Sequence, residues 1–121
     1  MGKLAILIFS TPYTFQNTNT AIKLIQAALK KGHQVLGVYF YMDGVINTLK
    51  TPKISAEDGK TIEELLKELA AKGCKIKVCP VCAAYRGVDN EELHIEEAEF
   101  DGLGALEEFI AECDKFICLG L

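Results

Sequence analysis

Apolar and polar positions alternate along this chain in two rhythms. "KLAILIF" (3–9) and "QVLGVYF" (34–40) are continuous apolar runs of strand length, the pattern of strands covered on both faces of a parallel sheet. "CKIKVC" (74–79) is a weaker run, with Lys75 and Lys77 interleaved with Ile76 and Val78, and "KFICLGL" (115–121) is the last. Between these runs the period becomes helical. "NTNTAIKLIQAALKKG" sets Ile22, Ile25 and Leu29 on one face, with Gly32 as its C-terminal cap. "TIEELLKELAAKG" places Ile62, Leu65, Leu66 and Leu69 at i, i+3, i+4 and i+7, with Thr61 and Glu64 as a capping box and Gly73 as the stop. "GALEEFIAECDK" repeats the pattern with Leu106, Phe109, Ile110 and Cys113. A short helix opened by Pro80 follows the third run. This alternation predicts an α/β fold, a three-layer α/β/α sandwich with a mainly parallel central sheet of four to five strands, as one domain over 1–121. Two stretches, 41–56 and 88–101, read as irregular. Both follow the carboxyl ends of strands or the short helix, where α/β sheets place their sites.

Composition narrows the function classes. With 121 residues, half of them apolar and a quarter charged, the chain can bury a core without covalent staples. A net charge of -4 and the lack of any Lys/Arg run speak against a nucleic-acid-binding surface. The opening apolar run is too short to span a bilayer and breaks at Ser10-Thr11-Pro12, so no membrane segment is expected. Without a leader or an acylation signal, the expectation is a cytoplasmic, reducing setting in which the five cysteines are free thiols.

Several features invite a chemical reading. "STPYTFQNTNT" lacks the glycines that let a backbone approach phosphate closely, so it reads as a capping loop with Asn17 or Asn19 at the N-cap rather than a flavin phosphate cradle. In "YFYMDGVIN", Asp43-Gly44 marks a turn. The successive rings of Tyr39, Phe40 and Tyr41 require that at least one is not simply core-facing; in a parallel sheet this loop shares an edge with Cys79, as a site wall, a subunit contact or a plain turn. Cys113 and Cys118 read as core packing, and Cys74 opens a strand with no assigned role. His33 follows a helix end, where a cation complements the dipole at the surface. His94, among acids in "NEELHIEEAEF", reads as a ligand or, by preference, a solvated loop histidine.

The sharpest chemical signal is "KVCPVCAAYRGV". One CxxC pair is too few ligands for a structural zinc site, and no second pair exists, so neither metal nor cofactor is expected. Cys79 ends a strand and Pro80 suits the first helical turn, which leaves Cys79 near an N-cap. There the free N–H groups and the helix dipole favour a thiolate, so Cys79 is read as a reactive cysteine. Arg86, seven residues on from Cys79 and four from Cys82, lies at the spacing of a shared helical face, supporting the thiolate or serving the helix C-terminus before Gly87.

Taken together, "FSTPYTFQNTNTAIKLIQAALKKGHQV", "FYMDGVIN", "VCPVCAAYRGV" and "DGLGALEEFIAECDKF" resemble the DsrE/TusD-type (DsrEFH-like) sulfur-relay family over nearly the full length. That family's pattern has a cysteine ending the third strand and an Arg-Gly pair in the helix that follows; Cys79 and Arg86-Gly87 occupy those places. The family's SGLG element appears as Asp101-Gly102-Leu103-Gly104, with Asp in place of Ser. The resemblance implies a small α/β fold with a parallel sheet. It also implies a persulfide carried on Cys79, with Cys82 as a resolving or discharging thiol and Arg86, Gly87, Asp43 and Gly44 in support. Assembly into a homo-oligomer (a trimer or hexamer) or with related subunits follows too, as do sulfur donor and acceptor proteins as partners. The acidic loop 89–100 departs from the bacterial relay subunits. Two readings from other classes stay open on the residues: a dithiol–disulfide oxidoreductase using Cys79 and Cys82, and a non-catalytic oligomeric ligand-binding protein.

Overall fold

The structure, a computed structural model, describes residues 2–50 and 59–120. The end of the 41–56 stretch and Leu121 therefore lie largely outside the described residues. Five strands, β1 (Lys3–Ile8), β2 (Gln34–Phe40), β3 (Lys75–Val78), β4 (Ala98–Phe100) and β5 (Lys115–Leu119), alternate with α1 (Asn17–Lys30), α2 (Ile62–Ala71), α3 (Pro80–Tyr85) and α4 (Leu103–Glu112). The sheet order is β4-β3-β2-β1-β5, and every pairing is parallel.

The alternation of side chains along the strands builds the two outer layers. Leu4, Ile6 and Ile8 of β1, with Val38 and Phe40 of β2, pack under Ile22 and Ile25 of α1 and Leu66 and Leu69 of α2. Their neighbours Ala5, Leu7 and Tyr39 meet α3 and α4 through Cys82, Ala83, Ala105 and Phe109 on the opposite face. Each aliphatic side chain fully buried in this way contributes on the order of 2 kcal/mol, so the apolar runs stabilise the sheet from both sides. A bulge opposite Leu4 and Ala5 lets Val35 and Val38, three residues apart, reach the same core.

Helix ends follow local chemistry with one difference from expectation. Thr61 Oγ1 accepts the Glu64 N–H at 3.1 Å, capping α2 as the sequence predicts. At α1 the cap position is Gln16, not Asn17 or Asn19, and no side chain caps it. The amides are spent elsewhere: Asn17 Nδ2 donates to Ser10 Oγ at 3.0 Å and Asn19 Nδ2 to Gln16 Oε1 at 3.1 Å. The stretch 88–101 is not wholly irregular, because β4 forms within it and pairs with β3.

Candidate functional site

The C-terminal edge of the sheet gathers the residues singled out from the sequence. Cys79 prolongs β3 by one hydrogen bond, its N–H donating to the Phe40 carbonyl at 3.1 Å. The chain then turns directly into α3, with Pro80 in the first helical position and Cys79 at the N-cap. Cys79 Sγ accepts the Cys82 N–H at 3.4 Å, so a sulfur stands where a capping hydroxyl or carboxylate usually does. Both cysteines are buried, at 3% and 6% exposure. Burial first, then the hydrogen bond to Cys79, raises the Cys82 thiol above its ordinary range; the Met42 N–H and the Arg86 charge pull the other way and are outweighed. Met42 reaches that N–H position through a left-handed backbone, φ +51, which costs a side-chain-bearing residue about 1 kcal/mol or more.

Arg86 does not share a helical face with the two cysteines. α3 stops at Tyr85, and Arg86 is its C-cap, with Gly87 taking the left-handed φ of +70 that ends the helix. The guanidinium donates to the Cys82 carbonyl at 3.0 Å and, through Nε and Nη2, to Asp43 Oδ1, both at 2.8 Å. Asp43 and Gly44 belong to a 3-10 turn, Met42–Thr48, rather than a simple reverse turn. A Cβ on Gly44 would lie 2.2 Å from the Ile8 carbonyl oxygen, so only glycine lets this turn close against the end of β1. Arg86 and Asp43 thus bridge the end of α3 to the turn after β2.

Asn47, Tyr39 and His94 hold the frame of the site; of these the sequence named only Tyr39 in a candidate wall. Asn47, buried, donates to the Ser10 and Gly44 carbonyls at 3.0 and 2.9 Å and accepts from Thr18 Oγ1 at 2.7 Å, tying the ends of β1 and β2 to α1. Tyr39 is fully buried, and its hydroxyl donates to the Asp101 carbonyl at 2.9 Å. Burial first, then the proximity of Cys79, Cys82 and Asp101, holds that phenol above its ordinary range. His94 overturns the reading of a solvated histidine: it is buried, lies against Thr48 Oγ1 through Nδ1 and the Val88 carbonyl through Nε2, both at 2.6 Å, and sets its ring edge-on to Phe100. Phe40 joins Tyr39 in the core, which leaves Tyr41 as the part-exposed ring of the three.

The other expectations divide. Lys77 bonds Glu99 and Asp101 at 2.8 and 3.2 Å; its own burial works against the charge, but these carboxylates hold its ammonium above the usual range. Cys118 is exposed rather than packed, since β5 is an edge strand, and Cys113 is half-buried at the end of α4. His33 lies at the surface and accepts the Gly2 N–H at 2.9 Å. Among the described residues no group of three or more His, Cys, Asp or Glu could hold a metal ion, and no helix is long and apolar enough to cross a membrane.

Comparison with known proteins places this geometry. The model of the DsrE/DsrF-like family matches residues 2–119. A relative in Allochromatium vinosum, "Putative sulfurtransferase DsrE", is 32% identical, with 98% of each chain covered. The protein named sulfurtransferase TusD in Yersinia pestis is 25% identical, with 95% of each covered. Among solved structures, the ychN protein of E. coli superposes with a TM-score of 0.84 at 22% identity, over 98% of this chain and 100% of that one. The MTH1491 protein of Methanobacterium thermoautotrophicum gives 0.71 at 15% identity over the same shares. At those identities the two structures bear on the fold, the all-parallel five-stranded sheet with helices on both faces.

Proposed function

The chain belongs to the DsrE/DsrF-like family, and from that premise we propose that it is a sulfur-relay protein which carries sulfane sulfur on Cys79. The observation that supports this most is the position of Cys79: the N-cap of α3 at the C-terminal edge of the sheet, its Sγ facing the Cys82 N–H. A donated N–H and the N-terminal end of a helix both favour negative charge on sulfur, and the thiolate is the nucleophile of sulfur transfer. The relatives named sulfurtransferases cover almost the whole chain, and so does the family match.

The step balances without an oxidant. Cys79 thiolate attacks the outer sulfur of a donor persulfide; a new S–S bond forms on Sγ while the donor's own S–S bond breaks. The electron pair leaves with the donor sulfur as a thiolate, and the transferred atom keeps its oxidation state. Cys82 serves as the discharging thiol, and the Arg86–Asp43 bridge holds α3 over the pair. Gly44 and Gly87 let that bridge form. The protein acts with sulfur donor and acceptor partners, as a homo-oligomer or with related subunits; Val81 and Tyr85 stand exposed on α3 beside the site as contact surface.

Intact-mass measurement after incubation with a persulfide donor tests the reading. Cys79→Ser should gain no sulfur, while Cys82→Ser should still load one atom and hold it longer. Loss of uptake in both variants, with a measurable Cys79–Cys82 disulfide couple, would assign the pair to dithiol–disulfide exchange instead. Light scattering tests the assembly: the mass of a single chain at micromolar concentration would refute it.

A further inference from the structure

We propose that His94 is a positioning residue for Cys79: its ring holds the Val88 carbonyl and thereby keeps α3 closed over the relay cysteine. The meaning for sulfur transfer rests on Cys79 being the carrier; the hold on α3 does not. Cys79 and Cys82 are 3% and 6% exposed, so a thiol acceptor or an alkylating reagent reaches Cys79 only as the chain around it moves. α3 is the element best able to move. Its six residues are too few for a helix to persist by its own hydrogen bonds, and Val81 and Tyr85 among them face solvent rather than core. Its place is therefore set at its two ends. Cys79 joins the first to β3, and Val88 leads away from the second.

At that second end Gly87 turns the chain back, and the Val88 N–H donates to the Ala83 carbonyl at 2.9 Å. Val88 packs against the cluster that contains Cys79, Cys82 and Ala83. Its own carbonyl meets His94 Nε2 at 2.6 Å. A carbonyl only accepts, so Nε2 carries the hydrogen of this contact. The ring is not free to follow α3 outward. His94 is buried, its Nδ1 lies 2.6 Å from Thr48 Oγ1, and Phe100 stands edge-on to it with ring centroids 4.9 Å apart. The backbone on either side is tied down as well: the Lys50 N–H donates to the Leu93 carbonyl and the Ile95 N–H to the Thr48 carbonyl, both at 2.9 Å. Nε2 is thus a fixed donor aimed at the end of α3.

Two links consequently run from the 3-10 turn Met42–Thr48 to the end of α3: Asp43 to Arg86, and Thr48 through His94 to Val88. The first is open to solvent, the Asp43 side chain being 60% exposed, and water competes for it. The second is built on a buried ring, where losing the donor leaves a carbonyl unsatisfied. His94 is the stronger hold. A sulfur loaded on Cys79 stays shielded from bulk thiols while that hold lasts.

His94→Gln and His94→Asn separate the two arms of the ring. Glutamine sets an amide N–H where Nε2–H stands and keeps Val88; asparagine sets its amide where Nδ1 stands and keeps only Thr48. Alkylation by iodoacetamide at neutral pH is followed by mass on the Cys79 and Cys74 peptides. Loss of sulfur loaded from cysteine persulfide is followed with β-mercaptoethanol as acceptor. In that discharge the acceptor thiolate takes the outer sulfur, and the electron pair of the broken S–S bond returns to Cys79 Sγ. His94→Asn should speed both reactions of Cys79 by about tenfold, the shift in an opening equilibrium expected from one lost buried hydrogen bond. Cys74, packed in the opposite layer, should stay unlabelled, because only opening of the whole core uncovers it. His94→Gln should stay within about twofold of wild type. An unchanged Cys79 rate in His94→Asn, a His94→Gln chain as fast as the asparagine one, or Cys74 labelling that rises with Cys79 would overturn the proposal. If His94→Asn fails to fold, His94→Gln decides alone: rates near wild type support the role, and a gain of about tenfold refutes it. If wild type takes up no sulfur, the carrier reading fails, while the alkylation series still decides whether His94 holds α3.

Discussion

Cys74 stands just before β3 and Cys79 just after it, each 3% exposed, yet the two ends of this strand offer sulfur different surroundings. Cys74 packs among Ile62, Leu66, Leu69 and Ile76, and its N–H is taken by the Leu69 carbonyl at the end of α2. Nothing there solvates an anion, and burial pushes its thiol up to about 12. Cys79 meets instead the first turn of α3, where its Sγ accepts the Cys82 N–H at 3.4 Å. The topology produces the contrast. In a β-α-β chain the start of a strand follows the carbonyl end of one helix, and its finish faces the N–H end of the next. Equal burial therefore makes one thiol inert and leaves the other beside a backbone N–H donor.

The largest test of this contrast is chemical. At pH 8 an ordinary thiol of 9.0 is about 10% ionised, whereas one at about 12 is roughly a thousandfold less so. Iodoacetamide on the folded protein should leave the Cys74 peptide unlabelled while exposed Cys118 reacts, read by peptide mass. Comparable labelling of Cys74 and Cys118 would dissolve the difference.

The scaffold at the Cys79 end comes next in size. Asn47→Ala strips the partners from two buried carbonyls and a threonine hydroxyl, which should cost about 3 kcal/mol in urea melts. Cys74→Ala, a small trim in an aliphatic site, should cost only about 1 kcal/mol. Equal losses would show that the two ends are built with the same tolerance.

Alkali separates them further. Cys74 ionises near 9.0 when unfolded and about 12 when folded, so the native state keeps its proton longer. That stability is intact below pH 9 and falls as pH climbs toward 12, about 1.4 kcal/mol of it by pH 10. In Cys74→Ala this part of the decline should vanish; an unchanged slope between pH 8 and 10 would contradict it. The smallest effect belongs to Asp43→Asn. The ion pair it weakens is partly exposed, so stability should drop by less than about 1 kcal/mol. Freed of that bridge, α3 should open more often, and Cys79 should alkylate a few fold faster; a slower rate would show that the pair serves the thiol by other means.

The sequence carried the fold through its periodicities, because strands buried on both faces leave continuous apolar runs that no other arrangement requires. β4 left no such trace: three residues at a sheet edge, with Glu99 turned to Lys77, need no hydrophobic run. Cys79 was legible from its neighbours, since Pro80 after a strand marks a helix start. Of the two readings of Arg86, the structure has the one at the helix C-terminus before Gly87; the shared face presumed a longer helix than α3. Asn47 and His94 were hidden for a common reason. Each has a partner far along the chain, Ser10 being 37 residues from Asn47 and Thr48 46 from His94, and local sequence does not announce such a pairing. For Tyr39 the apolar run announced a ring and kept silent about its hydroxyl.

The strand order also sets a sequence of events in time. β2, β3 and β4 each join the sheet beside the strand before them, but β5 returns to β1, a seam pinned by the Lys3 N–H on Asp114 across 111 residues. Until that return, β1 is an unpaired edge presenting Leu4, Ile6 and Ile8, the kind of strand that recruits other chains. Closing so long a loop costs about 4 kcal/mol of chain entropy before any contact repays it. This order predicts that assembly finishes beside β1, one strand in from the sheet edge, and that refolding is most concentration-sensitive while that place is empty.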